Sequence, residues 1–69
     1  MGYEVKIKAR LDESWEDWLG DVTITSSLAE DGTWITSVII HASDSPMLFG
    51  LLDRIRDLNL PLISVSYIE

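Results

Sequence analysis

The chain has 69 residues, no cysteine and a net charge of −7 at pH 7, with a pI near 4.3. A chain of this length is expected to form a single domain, residues 1–69, whose stability is marginal unless tight packing or self-association adds to it. The charge disfavours nucleic acid and anionic membranes as partners. No apolar run approaches the roughly 20 residues that span a bilayer, and the first ten residues lack the apolar core of a signal peptide, so a cytoplasmic location is expected.

The first predicted element is a strand. Four apolar residues alternate with four charged ones: Tyr3, Val5, Ile7 and Ala9 with Glu4, Lys6, Lys8 and Arg10. A period of two with one apolar face predicts a half-buried strand. Its charged face carries three of the five basic residues of the chain.

A short helix is predicted next, in the segment LDESWEDWLG. Its apolar residues recur at helical spacing, Asp12 or Ser14 can cap its start, and Gly20 can adopt the left-handed conformation that closes it. The helix has two turns at most. We expect Trp15 and Trp18 to lie in the core, between this helix and the sheet.

Two strands joined by a tight turn follow. The segment DVTITSSL alternates, and Asp31-Gly32 is a strong hairpin signal because both residues tolerate the backbone of a tight turn. The return strand, TWITSVIIHA, is apolar on both faces around Val38, Ile39 and Ile40, which is typical of a central strand.

The last two predicted elements are a helix and a strand. Asp44 or Ser45 caps the helix, Pro46 lies in its first turn, and Asn59 takes the place of the usual closing glycine. The predicted buried stripe consists of Leu48, Leu51, Leu52, Ile55 and Leu58. In the final strand, LISVSYIE, Ile63, Val65 and Tyr67 point to one side, and Ser64, Ser66 and Ile68 to the other.

The order of elements is therefore β, short α, β, β, α, β. Right-handed crossovers place two helices on one face of a four-stranded antiparallel sheet, which predicts a ferredoxin-like α+β two-layer sandwich. If the first helix is only a turn, a variant with one covering helix remains.

The segment DSPMLFGLLDRIRDLNLPLISV, residues 44–65, resembles a set of short uncharacterised prokaryotic proteins. Their signature reads roughly D-Q-A-A-L-H-G-L-L-x-R-[IV]-R-D-L-G-L-x-L-[LI]-S-V, and Trp15, Trp18 and Gly20 resemble an upstream W-x-x-W-[FL]-x-G segment of the same set. The chain departs from it at Phe49, where the set has histidine, and at Asn59, where it has glycine. The resemblance implies the fold and no activity. The topology is also loosely similar to ACT-type regulatory domains, although the glycine-containing ligand loop of those domains is not matched.

Phe49 is predicted to lie on the exposed side of the second helix, well over a right angle from the centre of its apolar stripe. An exposed aromatic beside Arg56 is typical of an interface anchor, although isolated exposed apolar residues are also common on surfaces. Gly50 costs about 1 kcal/mol relative to alanine inside a helix, which indicates either a close approach by another backbone or a neutral position near the first turn.

The outer face of the sheet is the second unusual surface. Lys6, Lys8 and Arg10 line one strand, with Ile35, Ile39 and His41 expected on one side of it and Ser64, Ser66 and Ile68 on the other. This face either binds an anionic small molecule, packs against a second sheet, or is simply solvated. Sheets that bind RNA stack bases on aromatic residues of the central strands, and the first strand has none on this face.

No cofactor motif or metal site is predicted. The acidic residues of DESWEDWLGD do not follow the calcium-loop pattern, and they are more often a solvated helix face. His41 with Asp44 is the one candidate catalytic pair, and Asp44 serves better as a helix cap.

The sequence thus favours a non-catalytic protein-interaction module that homodimerises or binds another protein. Its interface candidates are Ile35, Ile39, Phe49 and Ile68. The alternative is a sensor domain that holds an anionic metabolite on Lys6, Lys8, Arg10 and His41. An enzyme with a site shared at an oligomer interface is a third, weaker reading.

Overall fold

The structure, a computed structural model, describes residues 2–12, 14–20, 22–41 and 45–68. It contains four strands and two helices, in the order expected from the sequence. They are β1 (Gly2–Ile7), α1 (Ser14–Leu19), β2 (Val22–Leu28), β3 (Trp34–Ile40), α2 (Ser45–Asp57) and β4 (Leu62–Ile68). The fold is therefore a small α+β fold with one sheet.

The four strands form one antiparallel open sheet in the order β2-β3-β1-β4. Val5 of β1 lies opposite Val38 of β3 on one side and opposite Val65 of β4 on the other. The β1–β4 register shifts between Lys6 and Ile7. As the sequence predicted, β1 and β3 are the central strands, which leaves β2 and β4 as the two edges.

The core lies between the helices and one face of the sheet. Alternate residues of β1 and β3 are fully buried, and they pack with the apolar side chains of both helices. The buried cluster consists of Val5, Ile7, Leu11, Leu19, Val38, Ile40, Leu48, Leu51 and Ile55. Because Val5, Ile7, Val38 and Ile40 share one face of the sheet, α1 and α2 pack on that same face.

Helix α1 forms as predicted, with six residues. The carboxylate of Asp12 accepts a hydrogen bond from the Ser14 amide at 3.1 Å, and Gly20 ends the helix with a φ of +88°. The expectation that Trp18 is a core residue is wrong, since 56% of it is exposed. A helix this short buries Leu19 and part of Trp15, and Trp18 lies on its outer side.

The turn between β2 and β3 confirms the hairpin signal. Gly32 has a φ of +86°, its amide donates to the Ala29 carbonyl, and the Ala29 amide donates to the Thr33 carbonyl. The Asp31 carboxylate accepts hydrogen bonds from both the amide and the hydroxyl of Thr33. These bonds fix the register of the hairpin.

Helix α2 closes on Asn59, which has a φ of +57°. The Asn59 amide donates to the Arg56 carbonyl, and the Leu60 amide donates to the Ile55 carbonyl, which is the Schellman pattern expected at a helix end. Leu58, predicted to belong to the buried stripe, is instead 50% exposed because the helix has already ended at Asp57. The predicted caps Asp44 and Ser45 cannot be compared, since Asp44 and the Ser45 side chain lie outside the described residues.

Neither helix is long and apolar enough to cross a bilayer, within the part of the chain that the structure describes.

Candidate functional site

The most unusual surface of the molecule is the edge strand β4. Nine large hydrophobic residues of the described chain are strongly exposed, and five of them belong to this strand. They are Leu62, Ile63, Val65, Tyr67 and Ile68, and together they are called the β4 surface below. In most edge strands one face contributes to the core, whereas here α2 leaves both faces of the strand largely uncovered.

The β4 surface carries no charge. From Leu60 to Ile68 the sequence contains no lysine, arginine, aspartate or glutamate, although a quarter of the whole chain is charged. Edge strands that stay unpaired in water are commonly protected by an inward-pointing charge, a bulge or a proline. In β4 the proline, Pro61, comes before the strand, and the bulge is confined to its start, where Ile63 is the extra residue between the paired Leu62 and Ser64. The middle of β4 is therefore free to pair with another strand.

Phe49 lies on the flank of α2 that is turned away from α1. Arg54 identifies the flank of α2 that faces α1, because its guanidinium carbon lies 5.6 Å from the centroid of the Trp18 ring on α1. Helix α1 packs beside β2, at the far edge of the sheet. Phe49 is five residues from Arg54, about 140° around a helix of 3.6 residues per turn. The prediction that Phe49 is exposed is confirmed, at 61%, and the residue lies on the flank of α2 away from the contact between Arg54 and Trp18.

Next to Phe49, an alanine Cβ at Gly50 would meet no atom within 4 Å. The chain itself therefore does not require glycine there. Arg56, the charged neighbour of Phe49, forms ion pairs of 3.6 Å and 3.9 Å with Asp53 and Asp57, all with exposed side chains. These charges form a polar rim beside the aromatic ring.

The other interface candidates lie on the outer face of the sheet. Ile35 and Ile39 are half-buried on β3, and Ser37 between them donates a hydrogen bond of 2.9 Å to the Glu4 carboxylate. Ile68 lies opposite Gly2, two residues from Glu4, and is exposed at 36%. The apolar residues of this face are thus separated by polar ones, and β1 stands between Ile39 and Ile68.

The residues of the predicted anion site do not come together. Lys6 points outward from the middle of β1, and Lys8 follows the end of the strand. His41 follows Ile40, which pairs with Tyr3 at the opposite end of β1. Because a strand rises about 3.3 Å per residue, His41 and Lys8 are roughly 15–20 Å apart along the sheet. Arg10 lies over the ring of Trp34, 4.9 Å from its centroid.

His41 is engaged by a neighbouring strand. Its Nε2 atom lies 2.6 Å from the Thr23 hydroxyl on β2. Asp44, its predicted catalytic partner, lies outside the described residues. The structure thus gives His41 a hydrogen bond to the edge strand β2.

Four residues of the β4 surface were not predicted from sequence as interface residues: Leu62, Ile63, Val65 and Tyr67. Their alternation with serine was read as the ordinary pattern of a half-buried strand. The available signal was the absence of charge over the nine residues 60–68, which include a strand that the predicted topology places at an edge. An uncharged edge strand indicates a surface that another chain or segment is expected to bury.

Comparison with protein families gives one match: the model of a domain of unknown function, DUF8691, covers residues 2–66. Neither a curated protein nor a solved structure matches the sequence.

Proposed function

We propose that this chain, which belongs to the DUF8691 family of domains of unknown function, is a non-catalytic interaction module that forms a homodimer through its β4 surface. The observation that carries the proposal is the exposure of five large apolar side chains on one uncharged edge strand. The occupant of this edge is the β4 strand of a second copy, paired antiparallel about a two-fold axis.

Backbone chemistry favours this arrangement. An edge strand presents unpaired amide and carbonyl groups, and a second strand can pair with them through a regular ladder. When two copies of the same strand pair antiparallel about a two-fold axis, residue i of one copy lies opposite residue j of the other and j lies opposite i, which makes the contact self-complementary and closed. Beyond the bulge at Ile63, the five residues from Ser64 to Ile68 are paired regularly with β1 and are long enough for such a ladder. The product is a continuous eight-stranded sheet with the two β2 strands as its outer edges.

The distribution of charge favours a second copy over an oppositely charged partner. Each chain has a net charge of −7, so two copies repel each other at long range. The β4 surface contains none of that charge, and its burial leaves no carboxylate without a partner. A basic partner protein, by contrast, would be drawn to the acidic surfaces elsewhere on the chain.

Phe49 extends the proposed interface. We place Phe49 on the β4 side, because its flank of α2 faces away from α1 and α1 packs beside the opposite edge strand, β2. A second sheet alongside β4 then brings its own β4 surface and α2 close to this ring. The exposed parts of Phe49 and the β4 surface, backbone atoms included, amount to roughly 600 Å², about three quarters of the roughly 800 Å² per partner of a standard interface. Phe49 is therefore the expected anchor at the rim of the ladder.

Stability supplies a reason for the dimer. The core contains nine buried apolar residues among the described part of the chain, and small domains without disulfides commonly rely on self-association. Burial of the β4 surface would add apolar contacts to a core that is small.

We further propose that the fold is ferredoxin-like. The support is that β1 lies between β4 and β3, that β3 lies between β1 and β2, and that all neighbours are antiparallel. In that arrangement each helix connects two strands that are not neighbours in the sheet, as α1 and α2 do here.

The test is the mass of the particle in solution, measured by light scattering at about 10–100 μM. Ile63→Lys places a charge on the β4 surface, where the side chain is already 48% exposed, so the variant should fold and be monomeric while the wild type is a dimer. Leu28→Lys is the matched control, since Leu28 is 59% exposed on the opposite edge strand, and it should remain dimeric. A monomeric wild type, or an Ile63→Lys dimer, would contradict the proposal.

A further inference from the structure

A shallow groove runs from the segment after β1 along α1. Its wider part, about 720 Å³, is lined by Arg10, Leu11, Asp12, Ser14 and Trp15. A smaller recess of about 60 Å³ adjoins it, since it shares Ser14 and Trp15, and is completed by Trp18 and Arg54. The two parts together are called the arginine–tryptophan groove.

Two indole rings form its apolar wall. The rings of Trp15 and Trp18 meet edge to face, with centroids 6.1 Å apart and planes at 84°. Trp15 is half-buried against the core, whereas 56% of Trp18 is exposed. An indole left this exposed next to a recess offers a flat apolar surface to a small ring.

Each part of the groove has an arginine held against a tryptophan. Arg54 lies over Trp18, and Arg10, with its guanidinium carbon 4.9 Å from the ring centroid, lies over Trp34. A guanidinium stacked on an indole is oriented by the ring and keeps its edge donors available for a planar, bidentate acceptor. Among the described residues, Arg56 has ion pairs with carboxylates and these two arginines have none.

The nearby acid forms no ion pair with either arginine among the described residues. Asp12 lines the groove, but its carboxylate accepts hydrogen bonds from the amide and the hydroxyl of Ser14. The strong negative charge of the whole chain disfavours a polyanion at long range. A ligand with one carboxylate experiences less of that repulsion and still matches one arginine.

We infer that the arginine–tryptophan groove binds a small aromatic carboxylate. The carboxylate is held by Arg54, and the ring lies against Trp15 and Trp18. This site is separate from the proposed dimer contact, because Arg54 and Phe49 occupy opposite flanks of α2. The sequence had placed an anion site on the outer sheet face, at Lys6, Lys8, Arg10 and His41. Of these four residues, only Arg10 lines the arginine–tryptophan groove.

The test uses benzoate as the probe and its neutral analogue benzamide as the chemical control. Binding is followed through the indole N–H resonances of ¹⁵N-labelled protein, since three tryptophans give three separate reporters. Benzoate should shift the Trp15 and Trp18 signals along a saturable curve, and benzamide should bind at least about tenfold more weakly because it loses the charge-assisted hydrogen bonds. Equal affinity for the two probes, or shifts that do not saturate, would overturn the inference.

Two variants on the same helix locate the contact. Arg54→Gln should weaken benzoate binding about tenfold or more, with the dimer mass unchanged. Arg56→Gln is the matched control, because Arg56 lies two residues along and faces Asp53 and Asp57, and its benzoate affinity should equal that of the wild type. Equal losses in both variants would show only a general charge effect and would overturn the site. A capped Asp-Phe peptide that binds where benzoate does not would show that the ligand class is wrong.

Discussion

Thr36 shows how much a single polar side chain can matter in a core this small. It is fully buried, and it is the one polar residue in the buried set of the described chain. Its hydroxyl donates to the Ala9 carbonyl beyond the end of β1 and lies 2.9 Å from the Ser26 hydroxyl on β2. Thr36 thereby ties the segment after β1 to the sheet.

At this position we expect Thr36→Val to lower the free energy of unfolding by about 1–3 kcal/mol, because the shape is kept while the Ala9 carbonyl and Ser26 lose their partner. Chemical denaturation would measure the loss. Thr25→Val, at an exposed position on β2, is the control and should change stability by less than about 0.5 kcal/mol. If the two variants are equally stable, the Thr36 hydrogen bonds contribute little.

Gly2 is a second residue whose identity the packing dictates. A Cβ placed on it would lie 2.1 Å from the Ile40 carbonyl oxygen on β3. That approach is closer than any side chain allows, so glycine is required where the first strand begins to pair. In sequence the residue gave no signal, because the contact is made with a strand almost forty positions away.

Among the elements, the β2–β3 hairpin has a built-in dependence on pH. The side-chain and backbone hydrogen bonds from Thr33 lower the pKa of Asp31 from its ordinary value near 3.8, and Lys8 lowers it further. A carboxyl group whose pKa is lowered in the folded chain stabilises the fold above its unfolded pKa. That contribution is lost as the pH falls through the folded pKa, so the turn weakens below about pH 4.

We expect Thr33→Val to raise the pKa of Asp31 towards its ordinary value, because the largest cause of the shift is removed. A pH titration followed by the carboxyl ¹³C resonance of Asp31 would measure it. Lys8→Gln should raise the same pKa by a smaller amount, since the charge of Lys8 ranks below the hydrogen bonds. A larger effect from Lys8 than from Thr33 would reverse this order of causes.

For the whole molecule, the proposed dimer couples association to folding. If the β4 surface is buried between two copies, the Tm should rise by about 5 °C for each tenfold increase in protein concentration, as mass action requires for a dimer of this size. Phe49→Ala should lower the Tm and reduce this dependence, because the ring anchors the contact.

Differential scanning calorimetry at several concentrations would measure both effects. Leu28→Ala, which truncates a comparably exposed side chain on β2, should leave the concentration dependence as it is in the wild type. The dimer would be contradicted if the wild-type Tm did not depend on concentration and Phe49→Ala behaved like Leu28→Ala. The protein would then be a monomer in which the Phe49 ring is exposed.

The sequence determined the elements, because their signals are local. Alternation gave the strands, helical spacing gave both helices, and Gly20, Gly32 and Asn59 marked the turns at which the structure has positive φ values. The central positions of β1 and β3 also followed from sequence, and the exposure of Phe49 followed from its angle on the helix.

Tertiary structure alone decided which apolar residues remain uncovered. Leu58, Trp18 and Val65 all belong to regular apolar patterns, yet each is at least 41% exposed. A sequence pattern predicts which side of a helix or strand is apolar. Whether that side is buried depends on how far the neighbouring element extends over it. Two short helices cannot cover a four-stranded sheet to its edge, and for that reason the β4 surface and the arginine–tryptophan groove emerge only when the elements are packed together.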